Sequence, residues 1–271
     1  MERVRLQAGR GMLLAAILIA AVSAAGCSGS GGDAANVSVS NASGEQGFRL
    51  APQLTEAVRR ADGALVLKGA ASPGAAVRLE SPSGVAQFAV ADAHGVWRMT
   101  LPASPDARLF ALSMSDGGRV SPATGYLFVM PDGAVARLVA GGGSAMLTPD
   151  TATRVSLVLD YDNRAAATLS GVATPGASAD LRVDGIDRGQ ATADRAGRFV
   201  LLLNEPLTPG PHDFDLAESK GDVRFSATIG APATLHGLFA AQPFAGGWRV
   251  DWVTPGGGQQ TTLVFAGLPL T

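Results

Sequence analysis

Along most of the chain, apolar and polar residues alternate one for one, in short runs that end at glycine or proline. Val77 and Leu79 alternate with Arg78 and Glu80, and Trp97, Met99 and Leu101 with Arg98 and Thr100. Phe110, Leu112 and Met114 alternate with Ala111 and Ser113, and Phe214 and Leu216 with Asp213 and Asp215. A period of two is that of a β-strand with one buried face. The runs are divided by turn chemistry. In "SPGA" (Ser72–Ala75) and "TPGA" (Thr174–Ala177), Pro sets the first turn dihedral and Gly follows where a type II turn needs positive φ. In "DAHG" (Asp92–Gly95) and "DRAG" (Asp194–Gly197), Asp opens a type I turn and Gly closes it.

These signals come twice. "GAASPGAAVRL" from Gly69 to Leu79 returns as "GVATPGASADL" from Gly171 to Leu181, 102 residues downstream. At that offset Leu67 meets Leu169, Asp92–Trp97 meets Asp194–Phe199, and Leu101 meets Leu203, with no gap. Each copy supplies roughly six short strands at a spacing of about 8–12 residues, the signature of a sandwich. Their apolar faces must be covered by a second sheet about 10 Å away. The expected fold is all-β: two tandem β-sandwiches over residues 48–145 and 146–271.

Two hairpins fall outside the repeat. Gly125–Gly141 reads as strand, Pro-Asp-Gly turn, strand, and Gly246–Phe265 reads the same way around Pro255–Gly258. Each is expected as an appendage after the last strand of its sandwich. The second places Trp248, Val250 and Trp252 on one face. Exposed, Trp248 and Trp252 would form an aromatic platform for a glycan or protein; buried, they would cover the edge of the second sandwich.

The repeated pattern, G-x-x-x-P-G followed by D-x-x-G-x-(W/F) and an alternating strand, resembles bacterial immunoglobulin-like repeats of envelope and surface proteins. The resemblance covers roughly residues 60–125 and 160–230. It implies Ig-like sandwiches in a cell-envelope protein and says little about a ligand. The second copy departs from it in carrying Val200 and Leu202 on the expected outer face, which predicts a neighbour packed there.

Composition agrees. With 35 Gly and 16 Pro among 271 residues, 46% hydrophobic and 16% charged, the chain is too rich in turn formers for a helical bundle and too apolar to be disordered. A net charge of −2 with no basic patch argues against nucleic acid as a partner.

The N-terminus has its own chemistry. Arg3, Arg5 and Arg10 precede the apolar run Met12–Val22, which has the length of a signal-peptide core rather than a membrane span. Small residues lead to Cys27, the single cysteine. Ala25-Gly26-Cys27 resembles the lipobox of bacterial lipoproteins, although Ala24 stands where Leu is usual. The resemblance implies cleavage after residue 26, lipidation of Cys27 as a membrane anchor and, with Ser28 next to it, sorting to the outer membrane. Residues 27–47, rich in Ser, Gly and Asn, read as a flexible tether.

Catalytic signatures are sparse. His94, His212 and His236 have no metal-ligand spacing and read as ordinary surface or half-buried residues. There is no G-x-S-x-G or S-x-x-K. "DYDN" (Asp160–Asn163) reads as a solvated turn and "GGGSAM" (Gly141–Met146) as a linker. The expectation is a non-catalytic envelope lipoprotein with no cofactor or metal and an envelope protein or glycan as partner. The alternatives are an assembly factor working by strand addition and, further off, a glycan-active enzyme with dispersed carboxylates.

Overall fold

A computed structural model of the chain describes residues 51–148 and 150–271. The signal segment, Cys27 and the tether lie outside the described residues. The described chain is all-β, with no helix among its residues. Its first nine strands are β1 (Gln53–Arg59), β2 (Leu65–Ala70), β3 (Ala76–Glu80), β4 (Ala86–Val90), β5 (Val96–Leu101), β6 (Arg108–Asp116), β7 (Arg119–Val129), β8 (Val135–Leu138) and β9 (Ala145–Met146). They form two antiparallel sheets, ordered β1-β2-β5 and β4-β3-β6-β7-β8-β9.

The next ten are β10 (Arg154–Asp162), β11 (Ala167–Val172), β12 (Ser178–Val183), β13 (Ile186–Thr192), β14 (Arg198–Leu202), β15 (Gly210–Glu218), β16 (Gly221–Ile229), β17 (Phe239–Phe244), β18 (Gly247–Val253) and β19 (Gln259–Pro269). They form sheets ordered β14-β11-β10-β19-β18-β17 and β13-β12-β15-β16. Each pair of sheets encloses its own core. Leu67, Val77, Trp97 and Met114 lie in the first, and Leu169, Leu181, Phe199 and Phe214 in the second.

The internal repeat is visible strand for strand. β2, β3, β5, β6 and β7 start 102 residues before β11, β12, β14, β15 and β16. The repeated glycine has a steric cause. Gly69 pairs across the sheet with Trp97, whose indole lies over it; a Cβ on Gly69 would fall 2.3 Å from the ring and 2.1 Å from the Gln53 carbonyl oxygen. Trp97 Nε1 donates to the Ala70 carbonyl at 3.2 Å, which holds the ring there. Gly171 faces Phe199 in the same way, and a Cβ there would fall 2.6 Å from Leu157 and 2.9 Å from the ring. The turns follow the sequence too. Gly74 and Gly176 have φ of 74° and 79°. Asp92 and Asp194 each accept two backbone N–H groups, from His94 and Val96 and from Ala196 and Arg198.

The hairpins are not simple appendages. β8 and β9 widen the first sandwich from the β7 edge, whereas β19 pairs with β10 and carries β18 and β17 beyond it. The two copies are thus extended on non-equivalent sheets. These enlarged sheets pack through their outer faces, where Leu109, Phe128 and Leu138 meet Val158, Trp252 and Val264 in a third apolar core. Alternation along single strands does not reveal this joint. The neighbour expected over Val200 and Leu202 covers little of them: Gly143 approaches Val200, but the two side chains remain 54% and 70% exposed on the edge strand β14.

Gly69→Ala is expected to destabilise the protein by roughly 1–3 kcal/mol through overpacking. Gly171→Ala should cost less, because its Cβ meets side-chain ends rather than a backbone oxygen. Urea unfolding of both variants checks the order.

Candidate functional site

The tryptophan pair, Asp160 of "DYDN" and the "GGGSAM" segment gather around the joint between the sandwiches. Trp248, Val250 and Trp252 do share a face. That face is covered by the first sandwich, not by solvent. Trp252 is wholly buried and Trp248 half-buried. Tyr126 of β7 meets Trp252 edge-on at 5.7 Å, and Phe128 meets Trp248 at 6.1 Å. The pair therefore presents no exposed aromatic platform, and it covers a sheet face of the second sandwich rather than its edge.

A buried polar network lies beside the tryptophans. Trp252 Nε1 donates to Thr262 Oγ1 at 3.0 Å, and that hydroxyl donates to Asp160 Oδ1 at 2.7 Å. Asp160 also accepts from the Ser144 hydroxyl (2.8 Å), the Ser144 amide (2.9 Å) and the Gln260 amide (3.0 Å). Gln260 in turn donates to the Val139 carbonyl and accepts from the Gly141 amide. Asp160 is only 2% exposed, so the solvated turn read from "DYDN" is corrected for this residue. Asp162 does make a turn, accepting from Arg164 and Ala166. Burial pushes the Asp160 carboxyl up, against the pull of its four donors.

"GGGSAM" is likewise more than a linker, since its backbone is clasped onto the sheet. A Cβ on Gly142 would fall 2.5 Å from Thr168 Oγ1. The glycine run beside a buried Ser was the available signal, but glycine runs read as linkers unless a sheet is known to lie beneath them.

The histidines are scattered. His94 and His236 are exposed. His212 is buried in the second sandwich, which corrects its reading as an ordinary surface or half-buried residue. Nδ1 lies 2.6 Å from Asp184 and Nε2 lies 2.7 Å from the Thr208 carbonyl. Two acceptors on one ring suit the imidazolium. Burial alone would lower the ring's pKa, but the Thr208 and Asp184 oxygens outweigh it and hold it above the ordinary value. The Asp213 amide and His212 hold Asp184 below its own. Among the described residues no group of His, Cys, Asp or Glu is arranged to hold a metal ion.

A groove of about 590 Å³ runs along one flank of the joint, between β8–β9 of the first sandwich and β11 and β14 of the second. Arg137, half-buried on β8, lines it. Its guanidinium has no hydrogen-bond or ion-pair partner among the described residues, and its Nε is buried. Burial and the nearby Arg198 both lower its pKa. Arg198 itself is paired with Asp194 at 3.1 Å. Ser170, 3% exposed, lines the groove with no partner for Oγ, and one oxygen of Asp150 is also buried without one. Burial pushes Asp150 up. In sequence, Arg137 and Ser170 are ordinary polar steps of an alternating strand, and nothing local marks them.

No family model matches the chain, and no curated protein matches its sequence. Among solved structures, the BSP domain of a biofilm-associated protein is similar at 12% identity, with a TM-score of 0.22. The match covers 65% of this chain and 29% of that one.

Asp160→Asn keeps one acceptor but sets an amide N–H₂ against the Ser144 N–H. The expected loss is about 1–3 kcal/mol in chemical unfolding. Trp252→Ala should cost about 3–5 kcal/mol by opening a cavity in the joint. The pH dependence of His212 has a definite sign. Because its pKa is raised on folding, its contribution is complete below about 6.5 and is lost as pH climbs through the raised value. The opposite shift of Asp184 contributes above about 3.8 and is lost as pH falls through its lowered value. The melting-temperature gap between wild type and His212→Gln should therefore narrow from about pH 6 to pH 9.

Proposed function

We propose that this chain is a non-catalytic cell-envelope lipoprotein, anchored through lipidated Cys27, whose joined Ig-like modules over residues 48–145 and 146–271 bind a partner. The observation that carries the binding role is the flanking groove. Arg137 is half-buried with no hydrogen-bond or ion-pair partner for its guanidinium among the described residues, as expected of a group kept for something that docks. The anchor is supported by the basic segment, the short apolar run and the small residues before Cys27. Ser28 supports the outer membrane as the destination.

A second reading, strand addition, has one feature in its favour. β4 is an edge strand with no charge and no proline, and around it Val85, Phe88 and Val90 are 68%, 67% and 70% exposed. Such an edge is a template for an incoming strand.

Metabolic labelling with palmitate should mark the wild-type chain and not Cys27→Ala, which should move to the soluble fraction. A Cys27→Ala chain that stays with membranes refutes the anchor. Crosslinks formed in the envelope should be lost on Arg137→Met if the groove is the seat, and on Phe88→Lys if β4 is.

A further inference from the structure

We propose that the groove beside the joint seats a carboxylate borne on an apolar peptide segment, with Arg137 as its counter-ion. The inference rests on the binding reading above and specifies its ligand. Arg137 is the odd charge of the groove. Arg198 is engaged by Asp194, and Asp150 is within the field of Lys220, but no described carboxylate meets Arg137. A half-buried guanidinium without a counter-ion among the described residues is unfavourable, and its planar fork fits a carboxylate bidentately. The neighbouring positive charge of Arg198 adds to the same demand.

Two further groups point to a peptide rather than a bare anion. Ser170 Oγ and one oxygen of Asp150 are buried without partners among the described residues, although buried polar atoms are almost always satisfied. Asp150 asks for a donor, which a peptide N–H supplies and a simple anion does not. Between these polar groups the walls carry an apolar stretch formed by Met146, Leu147, Val172 and Val200. Among the described residues the one aromatic on the groove, Phe199, has its ring turned into the core at 2% exposure, so these residues offer a sugar no face to stack on. An acidic side chain and a chain-terminal carboxylate present the same chemistry to Arg137.

The test is a titration of the full-length chain followed by amide chemical shifts. The probes are acetyl-Val-Glu-Val-amide, acetyl-Val-Gln-Val-amide, acetyl-Val-Val-Val with a free C-terminus, and acetate. At least one carboxylate peptide should shift amides of residues 143–148 and 198–200 and bind about 10-fold or more tightly than the Gln peptide. Which one does so separates a side-chain from a terminal carboxylate. Arg137→Met should erase that preference while leaving the melting temperature unchanged or higher.

Equal binding of the Glu, Gln and free-acid peptides overturns the proposal, as does silence from all of them up to millimolar concentration. Acetate binding as tightly as the peptides reduces the seat to a small-anion site and also overturns it. A lower melting temperature for Arg137→Met makes the residue structural. If the titration fails while Arg137-dependent envelope crosslinks persist, only the ligand class is lost; if both fail, the groove reading itself falls.

Discussion

The architecture depends on burying the outer faces of two sheets against each other. A sandwich normally leaves those faces to water, and alternation then makes them polar. Here the outer face of one sheet carries Trp248, Val250, Trp252 and Val264, and the facing sheet carries Leu109, Phe128 and Leu138. Closing two such faces also buries whatever polar groups lie beside them. Asp160, Gln260, Thr262 and Ser144 supply one another's partners, so the buried Asp160 enters the joint with its oxygens satisfied. The network also fixes the segment from Val139 to Ser144, and with it the placement of β9.

How much of this was legible follows from the range of each signal. Gly69 and Trp97, or Asp92 and Gly95, act over one strand pair or one turn, so their roles can be read in order along the chain. The repeat strengthens the reading, because Gly171 and Phe199 answer them at a constant offset. Trp252 is legible as one of an apolar stripe, but the stripe does not say what covers it. Asp160 escapes the sequence for a related reason. "DYDN" looks like a turn, and it is one from Asp162 onward; Asp160 is the last residue facing the joint, and its donors come from about 16 and 100 residues away. Arg137 carries no signal at all, since its character lies in the absence of a partner among the described residues.

The joint and the groove belong to one construction. Packing a widened sheet of six strands over another leaves a flank where β9 ends and β11 and β14 continue. Residues on that flank are half-enclosed, so an arginine there loses water without gaining a carboxylate. The exposed Val172 and Val200 stand on the same flank, which gives the departure of the second repeat from its expected polar face a place in the structure.

The unequal placement of the hairpins carries a consequence for duplication. Two copies of one repeat, left alike, can exchange strands during folding or go on adding further copies end to end. Here one copy grows from its β7 side and the other from its β10 side, and it is the two grown sheets that pack on each other. The asymmetry makes this joint exclusive: each copy spends its grown face on the other, and that face is closed to further association.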